Sequence, residues 1–424
     1  MGEPVVVVGG TLAGMAAAAR LAATGHEVIL TEQGTVLGGG YAAPTCEPVW
    51  TLPAAWRDLF RKTGRTLDRE MASRGLTMVT APPAIHELPG GRSLRLPTDR
   101  GDQATVIEAA LGTPAATAWR DLLDSLDGTW QALRSVGLES PLVDSSQLAR
   151  RRHDLLWGKS VARLARDVPA SLGSLVAATA WRAGSTPRGA PAFLAARLSV
   201  ERSFGRWMIV DDQGRVAPGS ALTGLLAARV EQLGVDVRFG VGSAEAVSRL
   251  SGAATLVAVD PWAAADAGLP RPHGLRPALA PLVTTSRARG HVTGTRQTWQ
   301  HTPRGPIVTF ERQDGPDVER IVVDHTQSRP DPAWGARWSG ASSWLRRPPV
   351  RGPREGEWRA GTGGRGGDDP WAQLLSGALA AYDIHAVLTG EDIRPGNRAY
   401  RPRVRRRRGP GPAGHTRPEG MSMH

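Results

Sequence analysis

The hydrophobic pattern changes period three times within the first forty residues. Val5-Val6-Val7-Val8 is an unbroken apolar run, as expected of a strand buried on both faces. It breaks into Gly9-Gly10-Thr11-Leu12-Ala13-Gly14, and the alanine-rich stretch 15–23 predicts a helix. A turn at Gly25-His26 precedes a second apolar strand, 27–30, with Glu32 just past its tip. Strand, glycine turn, helix, strand and acid in this order predict a dinucleotide-binding unit. The glycines allow a tight turn and close approach to a pyrophosphate. The helix N-terminus offers N–H groups and a positive dipole end, and the carboxylate accepts ribose hydroxyls. Thr11 occupies the usual place of the second fingerprint glycine. Its β-branched side chain crowds the phosphate position, so its hydroxyl either joins the phosphate hydrogen bonds or affinity falls.

Further along, Gly38-Gly39-Gly40 forms a second glycine cluster, and a helix is expected to start at Pro53. A short helix and a strand (76–80) follow, and Pro82-Pro83 marks a boundary. Segments 85–88 and 93–96 flank Gly90-Gly91 as a hairpin. Trp119, Leu122, Leu123, Leu126, Trp130 and Leu133 fall on one helical face, and more helices are expected within 158–168 and 170–183. A helix over 221–233 and strands at 235–239 and 254–259 resume the nucleotide fold. Alternation over 281–325 predicts an antiparallel sheet, with a hairpin joining 307–312 to 318–323 through Asp314-Gly315. After an Arg/Gly/Pro-rich stretch, Asp369 reads as an N-cap and Pro370 as the first residue of a long helix. Its buried stripe includes Trp371, Leu374 and Leu375, and Gly377 permits another backbone to lie close.

Composition narrows the function classes. With 424 residues and 41% hydrophobic content, the chain is expected to be globular, with two or more domains or subdomains. Cys46 is the single cysteine, which excludes an internal disulfide framework and multi-cysteine metal sites. No apolar run is long enough for a membrane span. The start has no signal-peptide pattern, and a cytoplasmic location is expected. Half of the net charge of +12 lies in the last 24 residues, which hold seven arginines and one acid. That tail (401–424) reads as disordered and solvated. Lysine is confined to Lys62 and Lys159. The arginine excess therefore reads as coding bias, and no specific nucleic-acid partner is expected.

Together these segments resemble the phytoene (carotenoid) desaturase-like branch of the amine-oxidase-type FAD-dependent oxidoreductases. The likeness lies in 5–32 with Gly38-Gly39, in 51–65, and in 358–361 through 376–381. The resemblance implies an α/β fold: a Rossmann-like FAD-binding domain of the glutathione-reductase type with an inserted, mostly helical substrate region and a small antiparallel sheet. The FAD-binding parts would be 1–85, 216–268 and 341–400, with the helical insert at 86–215 and the sheet at 269–340. It implies that Gly9, Gly10, Thr11, Leu12, Ala13, Gly14, Glu32 and Gln33 surround the ADP half of FAD. Gly38, Gly39 and Gly40 would follow the pyrophosphate or ribityl chain, and Val237 or its neighbours would meet the adenine. Gly361, Gly367 and Asp368 would approach the flavin side. Position 40 departs from the family, where a basic residue is common. Asp368 and Asp369 depart too, because two carboxylates beside a phosphate repel it.

The implied activity is removal of hydride from a lipophilic or amine-bearing small molecule, with the redox chemistry belonging to the cofactor. No catalytic base is assigned and no metal is expected, because no histidine pair has metal-ligand spacing with supporting acids. The alternative is a degenerate non-catalytic or NAD-binding member of the same scaffold, and Glu32 argues against NADP. His385 is a candidate near the flavin, with helix-end complementation the blander reading. His291 and His301 read as sheet residues, Cys46 as an inert thiol, and Trp119, Trp130 and Trp207 as candidate groove linings or plain core. Peripheral membrane contact through the tail is open, as are the oligomeric state, substrate and electron acceptor.

Overall fold

The computed structural model describes residues 3–142 and 144–395. The arginine-rich tail expected at 401–424 lies outside them.

The four-valine run is the centre of a five-stranded parallel sheet. Strand Val5–Val8 lies between Val28–Glu32 and Ala254–Val257, with Asp236–Phe239 and Glu357–Arg359 outermost. All four valines are buried, as both faces are covered. Helix Leu12–Ala23 fits closely because its inner positions are alanines: Ala16, Ala17, Ala18 and Ala19 are fully enclosed. Helix Pro370–Thr389 lies against it, and a Cβ on Gly377 would come within 2.3 Å of the Ala13 carbonyl oxygen. The close backbone approach expected at Gly377 is therefore present. Buried Arg20 ties three helices together, donating to Tyr382 Oη at 2.7 Å and to Asp58 Oδ2 at 2.8 Å.

The second layer differs from the expected small antiparallel sheet. It has six strands, ordered Pro277–Arg289, Asp317–Ala336, Gly305–Asp314, Thr295–Thr302, Ala84–Leu88, Arg92–Leu96. The hairpin at Asp314-Gly315 forms as expected, with Asp314 opposite Asp317. The 84–96 hairpin also forms, but it joins this sheet rather than the helical insert. Ala84–Leu88 pairs in parallel with Thr295–Thr302, placing His86 opposite Trp299. A third, three-stranded sheet pairs Arg206–Asp211 with Trp50–Thr51 and Leu76–Thr80. Helices Thr113–Leu133 and Ala170–Arg182 build a separate apolar cluster, with Trp119, Leu123, Leu126, Leu172 and Val176 inside it. Between the hairpin at its start and strand Arg206–Asp211 near its end, the 86–215 segment is mostly helical.

Candidate cofactor and substrate cavity

The parallel strands end together, and the chain reversals beyond their carboxyl ends enclose a cavity of about 700 Å³. That is where an open parallel sheet collects ligands. The N-terminal turn contributes Gly9 and Thr11; the acid segment contributes Glu32 and Gln33; the second cluster contributes Gly38, Gly39 and Gly40. The C-terminal loop and helix start contribute Thr362, Gly366, Gly367, Asp368, Asp369 and Pro370. The two ends of the chain thus open onto one continuous space.

Local bonding explains how the turn is held. The Gly38 N–H donates to the Gly10 carbonyl at 2.6 Å, joining the two glycine clusters. Glu32 Oε2 accepts from the Gly10 N–H at 3.0 Å, and Oε1 accepts from the Gly34 N–H at 2.7 Å. Its carboxylate is thereby fixed at the cavity wall with lone pairs left for hydroxyl donors. A Cβ on Gly14 would sit 2.0 Å from the Gly9 carbonyl oxygen, so strand and helix meet at van der Waals limits. A Cβ on Gly40 would meet nothing within 4 Å.

The structure answers the question posed by Thr11. Its hydroxyl donates to the Ala258 carbonyl at 2.8 Å and accepts from the Gly14 N–H at 3.2 Å. It serves as the helix N-cap and ties the turn to the strand beyond. The other positions of the sequence reading are distributed unevenly. Gly10, Leu12, Ala13, Gly14 and Gly361 stand behind the wall and shape it, and do not line it. Val237 is half-buried in its strand and outside the wall, whereas Val241 lines it.

The two acids of the C-terminal loop are compensated by partners the sequence did not reveal. Asp369 is the N-cap residue of helix Pro370–Thr389, but its side chain makes no capping bond; it forms an ion pair with Arg197 instead. Burial, with Arg182 nearby, lowers the Arg197 guanidinium to about 10. Asp368 Oδ1 accepts from Gln373 Nε2 at 2.9 Å, and Tyr41 Oη donates to the Asp368 carbonyl at 2.6 Å. Burial raises the Asp368 carboxyl to about 7. Around neutrality, therefore, one acid is paired and the other holds a proton part of the time, which removes much of the repulsion expected toward a pyrophosphate.

The glycine loop itself is clamped by Arg347, which is 1% exposed. Its Nη1 donates to the carbonyls of Gly364 at 2.9 Å and Thr362 at 3.2 Å, and its Nη2 donates to the Ala336 carbonyl. The guanidinium lies 3.6 Å over the Trp338 ring. Burial lowers it to about 9.

Away from the parallel sheet the cavity gains apolar walls from Val49, Ala183, Ala280, Pro281, Val283 and Val323, interspersed with Glu47, Thr179, Arg182 and Asp331. The aromatic lining consists of Trp50, Trp334, Trp338, Trp371 and Tyr41. Trp119, Trp130 and Trp207 do not line it. Trp119 is spent in the helical cluster, donating to Gln103 Oε1 at 3.2 Å. Trp130 packs behind Trp371 with ring centroids 5.2 Å apart, and Trp207 donates to the Phe204 carbonyl at 2.6 Å. His385 lies outside the cavity wall, its Nδ1 2.9 Å from His26 Nε2. His301 sits in the second sheet, 3.0 Å from His86 Nδ1, and His291 is exposed. The histidine that does reach the cavity is His325. A signal for it existed in the period-two row Ile321, Val323, His325, which is buried on one sheet face. Cys46 lines the cavity, but burial pushes its thiol far up, away from the reactive thiolate. Among the described residues no cluster of acids, histidines and cysteine fits a metal ion.

Comparison with known proteins agrees with this geometry. Residues 4–89 match the family described as FAD dependent oxidoreductase. The hydroxyneurosporene desaturase of Cereibacter sphaeroides is 30% identical over 272 residues, which is 59% of this chain and 52% of the relative. That of Rhodobacter capsulatus is 29% identical over 274 residues, 60% of this chain and 53% of the relative. The chain thus spans about half the length of the curated relatives it matches. A putrescine oxidase triple mutant superposes with a TM-score of 0.61 at 13% identity, over 91% of this chain and 99% of that one. Cyclohexylamine oxidase from Brevibacterium oxydans gives 0.58 at 14% identity, over 92% and 100%. At such identities the superpositions bear on fold alone.

Fold and cavity define a Rossmann-like nucleotide-binding architecture, and residues 4–89 carry the match to the FAD dependent oxidoreductase family. In sequence the chain is similar to hydroxyneurosporene desaturases and in fold to amine oxidases, and the cofactor so indicated is FAD.

The residues present fit that cofactor. Glycines leave open backbone where a phosphate would lie, an oriented carboxylate stands at the second strand's tip, and half-buried Arg197 balances the acid beside the helix start.

Proposed function

We propose that the protein is an FAD-dependent oxidoreductase that removes hydride from a lipophilic or amine-bearing small molecule. The observation that carries this reading is the single cavity shared by the 9–14 turn and the 362–370 segment, which continues between the apolar side chains of Val49, Val283 and Val323. FAD, when bound, supplies the hydride acceptor. The chain's own residues bind, orient and exclude water. Gly9, Thr11, Glu32, Gln33 and Gly38–Gly40 hold the nucleotide end. Gly10, Leu12, Ala13 and Gly14 fix the turn behind them. Gly361, Gly367 and Asp368 shape the flavin end, and the strand of Val237 supports the adenine side through Val241. Val49, Val283 and Val323 keep the substrate region dry.

In this reading the nucleotide domain is of the glutathione-reductase type, assembled from 1–85, 216–268 and 341–400. The 86–215 and 269–340 segments form the substrate side. The arrangement of three separated segments around one parallel sheet supports it. No described helix is long and apolar enough to cross a membrane. We assign the protein to the cytoplasm, with a small molecule as its partner.

The names of the sequence relatives point to hydroxyneurosporene as a first substrate to try. Protein loaded with FAD and desalted should keep the flavin absorption bands, and anaerobic addition of hydroxyneurosporene or a simple alkylamine should bleach them. A protein that emerges colourless contradicts the reading of the cofactor. One that stays yellow with every such substrate contradicts the reading of the reaction.

A further inference from the structure

The His325 imidazole has no hydrogen-bond partner in the protein, although the residue is only 4% exposed; its backbone carbonyl accepts from Ser328 Oγ at 2.9 Å. Its Nδ1 is sealed and unmatched. Nε2 is not sealed and has no protein partner either, so a ligand group in the cavity can supply the hydrogen bond that the buried ring lacks there. The residue ends an apolar row, Ile321, Val323, His325, on the inner face of the long strand Asp317–Ala336, and both Val323 and His325 line the cavity. The pairing explains the position. The partner strand shifts register between Ala280 and Leu282, and Asp324 is the last residue paired before that irregularity.

The surrounding polar side chains are already engaged. Thr179 Oγ1 donates to the Val176 carbonyl at 2.7 Å. Arg182 Nη2 donates to Glu47 Oε2 at 2.8 Å and its guanidinium lies over the Trp299 ring. Asp331 Oδ1 accepts from the Ala333 N–H at 2.9 Å. Burial, helped by the positive charge of Arg182, lowers the His325 imidazole to about 3, against a smaller pull from Asp324. The ring is therefore neutral at ordinary pH and offers one N–H donor and one lone pair.

We infer that His325 is a specificity-determining residue of this cavity, holding a hydroxyl group on an otherwise apolar substrate. A hydroxyl both donates and accepts, so it matches a neutral imidazole at the open Nε2 whichever nitrogen carries the proton. An ammonium offers donors only and so satisfies just one tautomer of the ring, and a carboxylate finds Arg182 already taken by Glu47. A pure hydrocarbon leaves the buried imidazole unmatched. This inference rests on the cavity being the substrate site of a flavoprotein, and it chooses the lipophilic side of the proposed function over the amine-bearing side.

The test uses three probes of one carbon skeleton: farnesol, farnesene and farnesylamine. Binding to the FAD-loaded full-length protein is followed by quenching of tryptophan fluorescence, since Trp50, Trp334, Trp338 and Trp371 line the cavity. The wild type should bind farnesol about tenfold more tightly than farnesene, and the amine no better than the hydrocarbon. His325→Phe should bring farnesol and farnesene to equal affinity with bound flavin unchanged, and His325→Gln should restore part of the preference. Equal binding of alcohol and hydrocarbon by the wild type, tightest binding of the amine, binding of none, or a preference that survives in H325F each overturns the inference. Should H325F not fold, the H325Q protein and the wild-type ranking decide. Flavin content is read separately. Loss of FAD from the wild type defeats the proposed function, while the alcohol preference is still measurable in the FAD-free protein.

Discussion

The turn after strand Val5–Val8 and the loop before helix Pro370–Thr389 reach the same cavity, yet they are secured by different means. The first is held by its immediate surroundings: the N-cap of Thr11, the carboxylate of Glu32 and the contact of Gly14 with Gly9. The second has too many glycines to hold itself. It depends on Arg347, which collects the carbonyls of Thr362 and Gly364 and stacks on Trp338, and on Arg197 and Tyr41 at its far end. Most of the contacts that hold the first come from within residues 5–38, with the Thr11–Ala258 bond the main tie to a distant strand. The other is a tertiary structure that exists only once distant residues have arrived. A cofactor bridging the two would couple a rigid anchor to a conditional one.

Removing the clamp should have the largest effect. Arg347→Met leaves three buried carbonyl groups without their donor and should cost about 4 kcal/mol of stability, read by urea unfolding. The C-terminal loop should also become the first segment to exchange its amides. A loss below about 1 kcal/mol would mean the loop does not depend on the arginine.

The next effect sharpens the other side of the comparison. Gly14→Ala places a methyl against a backbone oxygen that cannot yield, and should cost about 2–3 kcal/mol. Gly40→Ala, which faces open space, should change stability by less than about 0.5 kcal/mol. Equal effects of the two would show that the close approach at Gly14 is not a constraint.

A smaller effect concerns pH. The folded chain keeps a proton on Asp368 up to about 7, while the unfolded chain releases it near the ordinary 3.8. Stability should therefore fall as pH rises between those values and level off above them. Asp368→Asn should remove that part of the slope, seen in melting temperatures taken from pH 4 to pH 8. An unchanged slope would place the titration elsewhere.

The same contrast explains what the sequence revealed. The nucleotide turn was legible because all its parts, Val5 to Glu32, lie within one strand–helix–strand unit and each has a local job. Gly377 was legible because a glycine inside a buried helical stripe, where alanine favours the helix more, implies a close neighbour. The role of Arg347 was not legible, since a buried arginine looks like any other in an arginine-rich chain until the carbonyls around it are known. Trp119, Trp130 and Trp207 were reasonable candidates for the lining, but aromaticity does not specify which side of a helix or strand faces a cavity. The hairpin at 84–96 joined the second sheet through a parallel pairing with Thr295–Thr302, about 200 residues away in sequence, and no local pattern encodes that. His325 was half legible: the alternation placed it on the inner face, but only the register shift opposite it opens that face to the cavity.

The most direct test is hydrogen–deuterium exchange of the full-length protein with and without FAD. The account predicts that amides of 9–14 and of 361–370 slow together when FAD is added, over the same concentration range. Protection of the N-terminal turn with the C-terminal loop unchanged would contradict it, because the two ends would not then be enclosing one ligand.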